Sequence, residues 1–144
     1  MLVRQILNSK PSREVATVGP DVPVLEAAGL LAEKRIGSLV VSGDGAEPLG
    51  ILSERDIVCA LARRGRDCLQ EPVSALMTRR IITCRLEESA DQVLEKMTEG
   101  RFRHLPVMDG GQMVGLISIG DVVKARLSEL AMEKDALEGM IMGH

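Results

Sequence analysis

The chain has no tryptophan, no tyrosine and a single phenylalanine among its 144 residues. Its core must therefore be aliphatic, and the 45% of residues that are apolar suffice for one. The same lack removes the stacking platforms on which single-stranded nucleic acids are held. Basic residues do not compensate: 18 Lys and Arg stand against 21 Asp and Glu, for a net charge of −3. Nucleic acid is not expected as a partner. Apolar runs are short, as in IGSLVV (36–41), so no membrane span is expected. MLVRQILNSK (1–10) has no long apolar core followed by a cleavage site, and no signal peptide is read there. Cys59, Cys68 and Cys84 are odd in number and lack C-x-x-C spacing. They read as reduced thiols, and a cytoplasmic location is expected. Cys68 falls in a polar linker, either as an incidental thiol or as a reactive one. Histidine is scarce: His104 and the terminal His144 are the only two. Neither a metal site nor a nucleophile–base pair has the residues it needs. No enzyme activity and no required cofactor are expected.

What the chain does have is a repeat. GILSERDIV (50–58) returns as GLISIGDVV (115–123). Thr17 falls on Thr83 at a shift of 66, and residues 23–41 fall on 89–107. Past the turn at 42–49 the shift becomes 65, because the corresponding turn at 108–114 is one residue shorter. A slip inside a Gly-rich turn is where length changes are tolerated. Two copies are too few for a solenoid, so two units each covering the other's apolar face are expected.

Each copy reads β-α-β-β-α. An extended piece comes first, at 15–18 and 81–84. A helix follows at about 23–34 and 89–99, with Ala27, Leu30 and Leu31, then Val93, Leu94 and Met97, at helical spacing. Ser89 is a plausible N-cap, and the Gly37 region and Gly100 are read as stops. Strands 38–42 and 104–108 turn through Gly/Asp hairpins into 49–53 and 113–118. A final helix begins at Ser53 or Ser118. Between the copies, 65–72 is a polar linker and 72–78 a short helix opened by proline. The last helix runs from Ile119 to about Met142. Val123, Leu127, Leu130, Leu137 and Ile141 make a stripe along it, interrupted by Lys134. The stripe is read as a homodimer contact, the alternative being a helix folded back on its own unit. Met97, Met108, Met113, Met132, Met140 and Met142 read as core filler. Arg101 and Arg103, flanking Phe102, face either solvent or phosphate.

Ser53 and Asp56 form a capping box by type, as do Ser118 and Asp121. Capping alone explains them, but each box follows a glycine on a strand at the same distance. A strand running into a helix N-terminus offers free N–H groups to an anion. A serine hydroxyl there can donate to phosphate, and a carboxylate three residues on can accept from ribose hydroxyls. Arg55 adds a cation in the first copy, where Gly120 stands in the second.

The chain resembles a tandem CBS-domain pair, a Bateman module. GILSERD and GLISIGD resemble that family's adenosine-binding motif, with Ser in place of the usual Thr. RFRHLPV (101–107) resembles its second hallmark, and residues 17–41 its opening. The resemblance implies an α/β (α+β) fold of two β-α-β-β-α repeats, spanning 8–66 and 73–130, packed with pseudo-twofold symmetry. A C-terminal helical extension would occupy 131–144. It implies a regulatory sensor that binds AMP, ADP, ATP, NAD(H) or S-adenosylmethionine in clefts between the repeats, the charge of Arg55 favouring a ligand with phosphate, and passes occupancy to a partner protein. It further implies association of two pairs. Asp56 and Asp121 would hold ribose, and Ser53, Ser118 and Arg55 phosphate. Thr17 and Thr83 would lie near the adenosine, beside Val18 and Cys84. Backbone around Ser38, Leu39 and Val40, and around His104, Leu105 and Pro106, would read the adenine edge, with Arg103 and His104 near phosphate. The first copy lacks the Leu-Pro step of the second. The competing reading is an interaction protein whose clefts are degenerate and empty.

Overall fold

The computed structural model describes residues 1–141. Met142 and His144, read above as filler and as a lone terminal histidine, lie outside the described residues. In chain order the elements are α1 (Val3–Ser9), β1 (Thr17–Val18), α2 (Val24–Lys34), β2 (Ser38–Val41), β3 (Gly50–Ser53) and α3 (Glu54–Arg64). Then come a 3-10 turn (Arg66–Gln70), α4 (Val73–Leu76), β4 (Cys84–Arg85), α5 (Ala90–Gly100), β5 (His104–Asp109), β6 (Gln112–Ser118) and α6 (Ile119–Ile141). The β-α-β-β-α order holds in both copies. The chain forms two compact units. The first-repeat unit is Glu14–Ile81 with the hairpin tip Asp109–Val114. The second-repeat unit is Met1–Arg13, Ile82–Met108 and, among the described residues, 115–141.

In the first-repeat unit the sheet order is β1-β2-β3. β1 runs parallel to β2, with Thr17 opposite Val40, and β2 runs antiparallel to β3, with Ser38 opposite Ser53. Parallel neighbours need a crossover, which α2 supplies. Its Val24, Ala27 and Leu31 are buried at helical spacing against Val18, Leu39, Val41, Leu52 and Ile57.

The second-repeat unit repeats the plan as β4-β5-β6. Its buried apolar side chains include Val93, Met97, Leu105, Val107, Ile117 and Val122. The expected strand at 81–84 shrinks to Cys84–Arg85, for a reason that lies in β5. In the first repeat the Val40 N–H donates to the Ala16 carbonyl at 3.0 Å. The residue in the place of Val40 is Pro106, which has no N–H to give. One rung is lost, and the ladder begins with Cys84 opposite Val107.

Four other expectations change. Helices α2 and α5 stop not on glycines but on Arg35 (φ 54°) and Arg101 (φ 58°), both left-handed. The next residues hold these turns shut: the Ile36 N–H donates to the Leu31 carbonyl (3.1 Å) and the Phe102 N–H to the Met97 carbonyl (3.0 Å). Anchorage of an apolar Ile36 or Phe102 outweighs the cost, of order 1 kcal/mol, of a left-handed arginine. The linker at 65–72 folds into the 3-10 turn and buries Cys68 to 2% exposure. The exposed thiol is Cys59. Met132 and Met140 are 62% and 76% exposed, so they are not core filler.

Helix α1 was not foreseen. It stands to the second-repeat unit as 71–77 stands to the first, at a shift of 70. Val73 N–H donates to the Val22 carbonyl, and Val3 N–H to that of Glu88, both at 2.8 Å. Val24 N–H donates to the Glu71 carbonyl, and Ala90 N–H to that of Met1, both at 2.9 Å. Ser74 to Pro20 and Arg4 to Leu86 complete the match at 3.1 Å. Each repeat thus has a short segment docked by the same three backbone bonds. LVRQILN (2–8) and PVSALMT (72–78) carry the signal, with Val3 on Val73 and Leu7 on Met77.

Candidate functional site

The two Ser-x-x-Asp boxes have the same geometry. Asp56 N–H donates to Ser53 Oγ at 3.1 Å, and Ser53 N–H to Asp56 Oδ2 at 2.9 Å. Asp121 and Ser118 give the same two distances. The next amide, of Glu54 or Ile119, donates to the carbonyl of Gly37 or Arg103, each at 2.9 Å. The capping reading is therefore realised in full. It does not exhaust the groups. Among the described residues, the amides of Arg55 and Gly120 meet no protein acceptor. Each Asp uses only Oδ2, and each serine accepts without spending its own proton. One amide, one hydroxyl proton and one carboxylate oxygen remain at each helix start. That is a donor–donor–acceptor set suited to a phosphate beside a diol.

The glycine ahead of each box lies against its docked segment, closely enough in the first copy that packing requires it. A Cβ on Gly50 would lie 2.7 Å from Met77 Sδ and 2.8 Å from the Thr78 carbonyl oxygen. A Cβ on Gly115 would lie 2.9 Å from Leu7 Cδ1. Each docked segment thus presses on the strand that ends in the box.

The two corners differ beyond the box. In the first repeat the backbone of Thr78 bridges Ile51 in both directions, at 3.0 and 2.8 Å. In the second, the Lys10 ammonium reaches the carbonyl of Leu116, in the place of Ile51, at 3.0 Å. The same ammonium holds Asp121 Oδ2 at 3.0 Å. Burial raises the pKa of Asp121, but the Ser118 N–H and Lys10 outweigh it and the carboxyl sits below its ordinary value. Asp56 has no such cation among the described residues; Arg55 beside it is exposed. His104 is half-buried, and that burial holds its imidazole below the ordinary value. Asp121 pulls the other way, while Lys10 and Arg103 reinforce burial.

The remaining predicted residues divide by exposure. Thr17, Thr83 and Arg103 are exposed. Val18, Leu39, Val40, Cys84, Leu105 and Pro106 are buried, and the Val40 N–H and the Val18 carbonyl are already spent within the sheet. Ser38 is 6% exposed. Its main chain points toward the β1 side, and the β1 ladder pairs Val40 and Val41 but does not reach it. Burial, reinforced by Glu88 and opposed by Lys96, pushes the Cys84 thiol up to about 12, so it stays protonated. Lys96 also donates to the Thr83 carbonyl at 3.1 Å. Lys10 was missed: nothing in its sequence neighbourhood places it at a corner 111 residues away. A groove of about 450 Å³ between α2 and α3, lined by Leu31, Arg35, Ile36, Glu54, Ile57 and Val58, includes none of the predicted residues. Among the described residues no cluster of His, Cys, Asp and Glu could hold a metal. No described helix is long and apolar enough to cross a membrane.

Two docked segments, two β-α-β-β-α repeats and two glycine-led Ser-x-x-Asp corners define a class. The CBS domain family matches residues 3–63 and again 73–128, so the chain belongs to the CBS-domain family and carries two such domains in tandem. It is similar to the crystal structure of the CBS-domain containing protein ATU1752 from Agrobacterium tumefaciens. Identity is 48% and TM-score 0.82, over 88% of this chain and 99% of that one. It is also similar to the CBS domain protein PAE2072 from Pyrobaculum aerophilum complexed with AMP, at 28% identity and TM-score 0.75, over 92% and 99%. The CBS domain pair of protein MJ0100, in complex with 5-methylthioadenosine and S-adenosyl-L-methionine, matches at 27% identity and TM-score 0.77, over 90% and 98%.

Proposed function

We propose that this chain is a regulatory module that binds an adenine nucleotide at its Ser-x-x-Asp corners and passes occupancy to a partner protein. One observation carries the reading: both corners keep an amide, a hydroxyl proton and a carboxylate oxygen after their own caps are satisfied. That similar CBS pairs hold AMP, or methylthioadenosine and S-adenosylmethionine, supports the choice of an adenine compound. Arg55 and Lys10 each bring a cation to a corner, which favours a ligand with phosphate, AMP, ADP, ATP or NAD(H), over S-adenosylmethionine. The module is non-catalytic in this reading and acts as a homodimer.

The test is calorimetric titration with AMP, ATP, NADH and methylthioadenosine. We expect AMP or a larger phosphate-bearing ligand to bind more tightly than methylthioadenosine. Asp56→Ala and Asp121→Ala should each lower affinity while the far-ultraviolet spectrum is kept. With no Trp or Tyr the chain barely absorbs in the near ultraviolet, so a co-purified adenine compound would show its own band. Failure of all four ligands would leave the interaction-protein reading.

A further inference from the structure

Helix α6 carries two faces. Val122 and Ala125 are buried, and Arg126 reaches Asp91 at 3.2 Å, which fixes the inner face. About a quarter-turn round, at about 100° per residue, lie Val123, Leu127, Leu130, Lys134, Leu137 and Ile141. Their spacing is 4-3-4-3-4, the a/d alternation of a heptad seam. The five apolar members are 45% to 84% exposed, and every residue from Ala131 to Glu138 is exposed.

The charges beside the seam select what covers it. With Leu127, Lys134 and Ile141 at a and Val123, Leu130 and Leu137 at d, the e positions are Lys124, Ala131 and Glu138. The g positions are Arg126, Glu133 and Met140. In a parallel pair Lys134 would share a layer with the partner's Lys134, and Glu133 would face the partner's Glu138. Both contacts repel. In an antiparallel pair Lys134 packs against the partner's Leu130, Leu127 against the partner's Leu137, and Val123 against the partner's Ile141. Lys124 then faces the partner's Glu138, twice by symmetry. The two Glu133 carboxylates meet with both Lys134 ammoniums between them. Within one chain Lys134 and Glu138 lie 3.9 Å apart and largely exposed, a weak pair that is readily exchanged.

We propose that α6 pairs with α6 of a second copy as a short antiparallel coiled coil centred near Met132. The proposal does not depend on the ligand reading. Sedimentation equilibrium should give the mass of two chains, and Leu130→Asp with Leu137→Asp should give the mass of one with helicity retained. Lys124→Glu and Glu138→Lys should each weaken the dimer about tenfold, and the combined charge swap should restore it. In a parallel pair these two positions never meet. A single-chain mass for the unaltered protein would overturn the proposal. So would a dimer that survives both aspartates, or a charge swap no better than either reversal alone.

Discussion

The two repeats build the same corner from different supports. The first is made of backbone: Thr78 and Ile51 exchange both hydrogen bonds beside Gly50. The second is held by a side chain: Lys10 spans Leu116 and Asp121. A backbone bridge tolerates most side chains but no intrusion. A lysine bridge tolerates intrusion but depends on charge. The second corner is therefore pH-sensitive where the first is sterically sensitive, although the boxes share their distances.

The largest expected effect tests the missing rung. Val40→Pro removes the donor to the Ala16 carbonyl and should cost about 3 kcal/mol, since an orphaned acceptor joins a lost bond. Pro106→Val returns a donor at the equivalent place and should change stability by less than about 1 kcal/mol. Urea midpoints measure both; equal losses would end the explanation of the short β4. Next come the glycines. Gly50→Ala meets a backbone oxygen and should cost about 2 kcal/mol, whereas Gly115→Ala meets only the flexible end of Leu7 and should cost less than about 1. The reverse order would show that the docked segments do not bear on these strands.

The smallest effect is a slope. Burial makes folded His104 bind its proton less readily than the unfolded chain does. Stability should then fall as pH drops through the ordinary histidine range, and stop falling once the lower folded pKa is passed. Asp121, also lowered, adds a second loss as pH falls below the ordinary carboxylate value. His104→Ser, which installs the first repeat's residue, should flatten the first step and leave the second. An unchanged profile in urea titrations at successive pH values would refute it.

Much of this was legible in the chain itself. Both boxes, the hairpins and α2 through α6 follow from glycine spacing and apolar period, because those are local signals. Left-handed Arg35 and Arg101 were not legible, because a packed neighbour overrode the expected glycine. Cys68 read as a thiol in a polar linker because its neighbours are polar, yet the 3-10 turn buries it. Helix α1 and Lys10 act on residues 82 to 111 positions away. Only the faint match of 2–8 to 72–78 marks the first, and nothing local marks the second.

The docking of α1 also orders the chain's assembly in time. Residues 14–81, which hold nearly all of the first-repeat unit, leave the ribosome as one stretch and can pack as they emerge. Helix α1 appears before them but has no seat until Leu86, Glu88 and Ala90 follow. A helix made before the first repeat is thus placed after it. A chain stalled midway would carry Val3, Ile6 and Leu7 uncovered, a ready mark by which quality control could tell an unfinished molecule from a finished one.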